Sequence, residues 1–276
     1  MTLFSPTPKL KPILKWAGGK SGPLSQLLQG FPNTFTRYVE PFIGGGAVFF
    51  SLDSRTPAII NDFNSELIEL YETVRDTPEE LMNILDAFAA QYSEEFYYGL
   101  RATVPDSKIS RAARMVFLNK TNFNGLYRLN SKGIFNVPFG KRLRCPALYN
   151  KTNLIAVSRR LQLTTVCNLD FEAIINRTQP GDFVYCDPPY EPVSHSSSFT
   201  SYTANRFSQS EQTRLRDACE RAAARGIIIA LSNSHVPYIL KLYSRWNVKT
   251  ITAPRMINSK GHRRSEINEI LATIGQ

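Results

Sequence analysis

The chain has 276 residues, 42% of them apolar, which is enough for a sizeable core in one large domain or in a domain that carries an insertion. No apolar run approaches the roughly 18 residues of a membrane span. The proline-bearing start (Pro6, Pro8, Pro12) lacks the apolar stretch of a secretory signal, so a cytoplasmic protein is expected. Formal net charge is +10, and the cysteines (Cys145, Cys167, Cys186, Cys219) and histidines (His195, His235, His262) stand far apart, so neither a disulfide framework nor a bound metal is expected.

Lys15-Trp16-Ala17-Gly18-Gly19-Lys20 is the first candidate site. Two glycines between an indole and a lysine let backbone approach a ligand closely, with the lysine free to meet a carboxylate or phosphate. A glycine turn beside a packed tryptophan accounts for the same hexapeptide, and its spacing is not that of a nucleotide P-loop. Next, Arg37 to Phe50 reads as strand, glycine turn (Gly44-Gly45-Gly46) and helix, the opening unit of a nucleotide-binding α/β fold. A second strand, Ala58-Ile59-Ile60, ends at Asn61-Asp62. Asp62 follows the glycine turn at about the spacing that brings an acid to a ribose hydroxyl pair. An acid at the start of the helix beginning near Ser65 is the alternative, and the combined pattern favours a ribose-bearing cofactor.

From Ser65 to Lys120 the pattern is helical. Ser65 to Val74 is amphipathic, and Thr77-Pro78-Glu79-Glu80 has the form of a capping box before Leu81, Ile84, Leu85 and Phe88 at helical spacing. Arg111 to Leu118 reads as a further helix presenting two exposed arginines.

Residues 119–142 interleave aromatics, amides and bases. Asn124-Gly125 and Lys132-Gly133 mark turns, and Leu126 to Asn130 can pair with Ile134 to Phe139 as a hairpin. Such a ribbon can enter a DNA groove, where arginine forks onto guanine and an amide pairs with adenine. A surface hairpin with inward aromatics is the alternative. Around it the charge is segregated. No acid lies between Ser107 and Leu169, while Lys108, Arg111, Arg114, Lys120, Arg128, Lys132, Lys141, Arg142, Arg144, Lys151, Arg159 and Arg160 all do. This is the footprint of a polyanion partner, most simply nucleic acid, against the alternative of a solvated basic face.

The α/β pattern then resumes. Leu163 to Cys167 is a strand ending at Asn168-Leu169-Asp170-Phe171, and Phe183 to Cys186 is another, stopped by Asp187-Pro188-Pro189-Tyr190. Neither proline has an N–H to donate, so the strand ends there. Asp187 therefore stands at the carboxyl end of a strand, where open α/β sheets take their ligands, unless it is only a solvent-facing turn. Pro192 to Tyr202, a serine-rich stretch holding His195, reads as a mobile cover. Ser208 and Glu211 cap a helix that Gly226 ends, and Ile227 to Leu231 is a strand with Ser232-Asn233 at its carboxyl end. Val248 to Thr252 and Ile267 to Thr273 form a final antiparallel pair joined by the basic stretch Arg255 to Arg264.

Taken in this order, the blocks resemble the Dam-type adenine-specific DNA methyltransferases, especially the Dam-like enzymes of DpnII-type restriction–modification systems. The resemblance is nearly full-length. It rests on Leu14 to Lys20, Glu40 to Gly46, Asn61 to Asn64, Asn122 to Arg128, Phe135 to Gly140, Asp187 to Tyr190 and Leu231 to Asn233. It implies a Rossmann-like class I S-adenosylmethionine-dependent methyltransferase fold with an inserted helical and β-hairpin DNA-recognition domain. Residues 1–64 are then the cofactor-binding half, 65–160 the target-recognition insert and 161–276 the catalytic half. The implied reaction is methyl transfer from S-adenosylmethionine, without a metal, to the exocyclic amine of a flipped-out adenine in GATC.

The resemblance also distributes roles. Asp187 and Pro188 accept hydrogen bonds from the amine and Tyr190 offers a stacking face. Trp16, Lys20, Phe42, Gly44, Asp62, Asp170, Phe171 and Asp187 line the cofactor site. Lys15, Phe123, Asn124, Leu126, Arg128 and Pro138 face the target, and Lys141-Arg142 stands near the phosphate backbone. Double-stranded DNA is the expected partner, in the cytoplasm at the nucleoid, with a cognate restriction endonuclease acting on the same sites. Methylation of RNA or of a protein amide also suits an Asp-Pro-Pro-Tyr motif, and a catalytically silent DNA-binding protein is the reading from another class. The recognition hairpin argues against the first, and intact Lys20, Asp62 and Asp187 argue against the second.

Overall fold

A computed structural model of the chain describes residues 10–20, 22–192, 207–254 and 266–275. Seven strands form one sheet: β1 (Arg37–Glu40), β2 (Ala58–Asn61), β3 (Thr164–Cys167), β4 (Asp182–Cys186), β5 (Ile228–Ser234), β6 (Asn247–Pro254) and β7 (Glu266–Ile274). Their spatial order is β3-β2-β1-β4-β5-β7-β6. Strands β1 to β5 are parallel, and β7 runs antiparallel between β5 and β6. This is the mixed sheet of a Rossmann-like methyltransferase fold. The strand order reverses between β1 and β4, which opens a crevice at their carboxyl ends.

The central strands are short apolar runs because both of their faces are covered. In β4 every residue is buried, and the period of two divides its side chains between two cores. Phe183 and Tyr185 pack with Phe31, Tyr38 and the helices that precede β3. Val184 and Cys186 pack with Leu215, Cys219 and Ile239 on the other face. The helices are α1 (Leu24–Leu28), α2 (Ser65–Asp76), α3 (Pro78–Ala90), α4 (Glu94–Ala102), α5 (Lys108–Thr121), α6 (Lys151–Gln162), α7 (Phe171–Asn176), α8 (Gln209–Ala223) and α9 (Pro237–Leu242). Helices α2 to α6 all lie between β2 and β3 in the chain and share one continuous core with the sheet. Among the described residues no helix is long and apolar enough to cross a membrane.

Four local expectations are corrected. The helix expected after the glycine turn is a single 3-10 turn, Phe49–Ser51, because Phe49 and Phe50 drive into the core and Leu52 is already extended. Thr77 gives α3 no side-chain cap: it also ends α2, and its hydroxyl turns back to the Thr73 carbonyl at 3.4 Å. The arginines of α5 are not free. Arg111 forms a two-pronged pair with Glu69, and Arg114 is buried and donates to the Leu100 and Arg101 carbonyls. The hairpin is two isolated bridges, Leu129 to Phe135 and Asn122 to Phe139, rather than a continuous ladder. Pro138 interrupts it, having no N–H to offer a partner. The serine-rich stretch around His195 and the link Arg255 to Arg264 fall outside the described residues.

Arg160, at the end of α6, is almost fully buried, and among the described residues none of its three guanidinium nitrogens has a hydrogen-bond partner. Its guanidinium lies 4.4 Å from the centre of the Phe49 ring, and burial pushes its pKa down to about 10. Leaving such donors unmade costs more than one ring contact returns. Arg160→Met is therefore expected to raise the unfolding free energy by roughly 1–2 kcal/mol in urea titration, and a clear loss would contradict that balance.

Candidate active site and nucleic-acid interface

The end of β4 delivers Asp187 into the crevice, and three other parts of the chain converge on it. Asp187 Oδ1 accepts from Lys20 Nζ at 2.9 Å and from Ser232 Oγ at 3.0 Å. Ser232, in β5, also shares a 2.7 Å hydrogen bond with the buried Tyr185 hydroxyl. Among the described residues no donor reaches Asp187 Oδ2 or the Pro188 carbonyl, whereas the Pro189 carbonyl is taken by Gln212 Nε2 at 2.9 Å. Lys20 is only 4% exposed. It also donates to the Gly18 carbonyl at 2.7 Å and lies 4.6 Å over the Tyr190 ring. One face of that ring is thus occupied by the ammonium. The Tyr190 hydroxyl donates to Glu269 Oε2 at 2.9 Å.

The glycine turn lies beside this cluster, and its geometry answers why glycine is there. Gly44 and Gly46 have φ of 47° and 73°. A Cβ on Gly44 would stand 2.8 Å from the Trp16 ring, and one on Gly45 would stand 2.9 Å from Trp16 Cβ. The close approach is thus made by Trp16, which in turn stacks on Tyr127 with ring centres 5.0 Å apart. Asp62 closes the turn: Oδ2 accepts from the Gly44 N–H and Oδ1 from the Asn64 N–H, both at 3.0 Å. Burial raises its pKa, and those backbone N–H groups counter the shift in part. Each oxygen keeps a further lone pair for a ligand hydroxyl.

Asp170 and Phe171 stand at the start of α7. Asp170 caps that helix through the Glu172 N–H and forms a two-pronged pair with Arg214 at 2.8 Å, which holds its pKa below the usual carboxylate range. Phe171 gathers with Phe42 and Phe207 into an aromatic cluster, with ring centres 5.4 to 5.7 Å apart. Glu40, the last residue of β1, is buried and accepts from Tyr38 Oη at 2.8 Å.

Besides the Tyr127 ring against Trp16, the insert meets this site through the Tyr71 hydroxyl, which donates to the Gly44 carbonyl at 2.7 Å, and through Asn119. Asn119, buried at the end of α5, accepts from the Lys15 N–H at 3.0 Å and donates to the Lys15 carbonyl at 2.9 Å and the Gly125 carbonyl at 3.2 Å. A Cβ on Gly125 would stand 2.4 Å from the Lys15 side chain, so Lys15 lies directly against the Phe123-Asn124-Gly125 turn. Phe123, Asn124, Arg128, Pro138, Lys141 and Arg142 are exposed and Leu126 is half-buried. Asn124 (φ 61°) and Lys141 (φ 50°) are the only non-glycine residues with positive φ among the described ones. Backbone strain of that kind gathers at functional loops. Arg128 is held along one edge by Asn136, Nε to Oδ1 at 2.8 Å and Nη2 to the carbonyl at 3.3 Å.

The basic run is only partly an outward face. Lys108 and Arg111 pair with Glu72 and Glu69 on α2, and Arg114 and Arg160 are buried. Lys132, Lys141, Arg142, Arg144, Lys151 and Arg159 remain exposed. Lys120 is half-buried, and burial followed by the charge of Lys15 lowers its pKa. Sequence reasoning assigned no role to Ser232, although it placed it at the end of a strand. It also passed over Glu40, Tyr127, Arg214 and Glu269. The available signal for Glu40 is its place just before the glycine turn, whereas Glu269 shares its end of β7 with Glu266 and Asn268 and carries no local signal.

Sheet order and the crevice at the strand ends are those of a Rossmann-like fold, and they fit a methyltransferase. The family model described as D12 class N6 adenine-specific DNA methyltransferase matches residues 16–257. The chain is 41% identical over 272 residues to the type II methyltransferase M1.LlaDCHI of Lactococcus lactis subsp. cremoris, covering 96% of this chain and 95% of the relative. It is 40% identical over 285 residues to the type II methyltransferase M.MjaIII of Methanocaldococcus jannaschii, covering 95% and 98%. To the DNA adenine methylase of Escherichia coli it is 33% identical over 268 residues, covering 96% and 95%. The chain belongs to the D12 family of adenine-specific DNA methyltransferases.

Glu40 gives the site a pH signature. Burial pushes its carboxyl well above the usual range, the Tyr38 hydroxyl counters this, and the Asp187 charge adds to the rise. A carboxyl with a raised folded-state pKa contributes most below its unfolded pKa of about 4.3 and loses that contribution as pH climbs through the folded value. The stability of the wild type relative to Glu40→Gln should therefore fall as pH rises from about 4 towards neutrality. Parallel thermal unfolding of the two proteins across that range checks it, and a flat difference would refute it.

Proposed function

We propose that this enzyme transfers a methyl group from S-adenosylmethionine to the exocyclic amine of an adenine rotated out of double-stranded DNA, within GATC. The observation that carries the reading is the division of labour on Asp187. Lys20 and Ser232 hold Oδ1, while Oδ2 and the neighbouring Pro188 carbonyl have no described protein donor. Two adjacent acceptors at the end of a strand suit an NH2 group with two hydrogens. The lone pair of that nitrogen is delocalised into the adenine ring. Accepting both hydrogens in a fixed direction draws the nitrogen towards tetrahedral geometry and aims its lone pair, which is catalysis by positioning and oriented dipoles. Tyr190 offers its remaining face for stacking. The amine is inaccessible inside a duplex, so the base must leave the stack at a cost of a few kcal/mol.

The residues around the crevice fit the cofactor. Asp62 and Asp187 with the ammonium of Lys20 leave, among the described residues, an excess of negative charge suited to a sulfonium, and the Phe42, Phe171 and Phe207 cluster suits a purine. Asp62 would hold the ribose hydroxyls, Trp16 and Gly44 would shape the wall of the site, and Asp170 would set the position of Phe171 through Arg214. When bound, S-adenosylmethionine supplies the electrophilic methyl group. No metal takes part in this reading.

Residues 65–160 serve target recognition between the halves 1–64 and 161–276. Lys15, Phe123, Asn124, Leu126, Arg128 and Pro138 face the bases, and Lys141 with Arg142 faces the phosphates. The Asn119 clamp supports a single surface, since it holds Lys15 against the recognition turn. The likeness to enzymes named type II methyltransferases supports a cognate restriction endonuclease as functional counterpart, in the cytoplasm at the nucleoid.

The deciding experiment is methyl transfer to unmethylated genomic DNA followed by reading the modified positions. Modified adenine in GATC is the expected result, and methylated cytosine or no transfer would overturn the reading. Asp187→Asn should lower the single-turnover rate about 100-fold or more while DNA binding persists; equal activity in a filter assay would count against the role of Asp187. Arg128→Ala should relax one base preference by about 10- to 100-fold, from the roughly 1–3 kcal/mol of a forked guanine contact. Unchanged rates on a panel of variant sites would remove Arg128 from base recognition.

A further inference from the structure

Glu269 is a carboxylate that the chemistry above does not use, yet it touches both Lys20, which pairs with Asp187, and Tyr190, which follows Asp187 at the same strand end. It lies in β7 opposite Ser234 of β5 and Ile251 of β6. Because β7 runs against β5, a residue near its beginning arrives at the edge where β4 and β5 end. There its side chain is 16% exposed, with Oε2 accepting the Tyr190 hydroxyl at 2.9 Å and standing 4.0 Å from Lys20 Nζ. A largely desolvated acid is costly unless it is paired, and these are its two described partners. Burial raises its pKa, and Lys20 followed by the Tyr190 hydroxyl counters that rise.

Two consequences follow from that position. Tyr190 is anchored at its far end, so the plane of its ring is fixed while Lys20 covers one face. The Lys20 charge is shared between two carboxylates, so Asp187 is less fully neutralised than in an isolated pair, and more negative charge remains for an incoming amine. We propose that Glu269 is a positioning residue for methyl transfer. It fixes the Tyr190 ring through the hydroxyl and moderates the Lys20–Asp187 pair, without touching the adenine or the methyl group. This rests on the function proposed above.

The test compares Glu269→Gln, Glu269→Ala, Tyr190→Phe and the double variant Tyr190→Phe/Glu269→Ala with the wild type. Single-turnover rates are measured on an unmethylated duplex containing GATC at saturating S-adenosylmethionine, with separate binding constants for each. Glu269→Gln keeps an acceptor for the phenol but loses the charge, so it should be slowed less than Glu269→Ala, which should lose between about 10- and 100-fold. Tyr190→Phe keeps the ring and should also slow transfer. The double variant should be no more than about twofold slower than Glu269→Ala, since both changes break one link. Binding of cofactor and duplex should stay within about threefold of the wild type. Rates near the wild type in Glu269→Ala, fully multiplicative losses, or a loss carried wholly by weaker binding would each overturn the proposal. Should Glu269→Ala not fold, Glu269→Gln and Tyr190→Phe carry the same comparison. An inactive wild type would instead overturn the proposed function, so the two failures are distinguishable.

Discussion

A lysine with 4% of its side chain exposed is tolerable only beside negative charge, and the position of Lys20 is set by that requirement. The ion pair with Asp187 joins the N-terminal segment to the end of β4. Ser232 adds β5 and Glu269 adds β7 to the same cluster. Removing one partner would leave a buried charge uncompensated, so these four chain segments are fixed relative to one another by electrostatics as well as by packing. The orientation of Asp187 follows, and with it the oxygen that, among the described residues, faces no protein donor.

The same segment that carries Lys20 also carries Trp16, which ties the crevice to the insert. Its ring fills the space that Gly44 and Gly45 leave and stacks on Tyr127. Asn119 completes the tie by holding the Lys15 backbone with both ends of its amide. The turn at Phe123-Asn124-Gly125, the glycine turn and the end of β4 are therefore linked by a few contacts along residues 15–20.

The acid-free run divides into an inward and an outward part. Part of the acid-free run points inward, where Lys108 and Arg111 join α5 to the acids of α2 and where Arg114 ties α5 to the end of α4. The basic residues from Arg128 to Lys151, with Arg159, stay exposed, those near the turn lying around the strained positions Asn124 and Lys141. A count of charges along the chain cannot separate these two uses, because pairing depends on which helix lies alongside.

Much of the molecule was legible from residue order. Apolar runs ended by Asn61-Asp62, Asn168-Leu169-Asp170 or Asp187-Pro188-Pro189 fix strands and their carboxyl ends through hydrogen-bonding capacity and the limits of proline. The glycine turn, the recognition stretch and the family resemblance follow from contiguous residues, and all are local properties. Short-range competition was misjudged where a residue serves two elements, as Thr77 does, or where a proline breaks a ladder, as Pro138 does. Tertiary structure alone decided which oxygen of Asp187 is held, that Trp16 is the reason for Gly44 and Gly45, and that Glu269 reaches Tyr190. Each of these joins residues far apart in the chain, and their meeting depends on the antiparallel run of β7 and the packing of α5 against the first site segment, which no local pattern encodes.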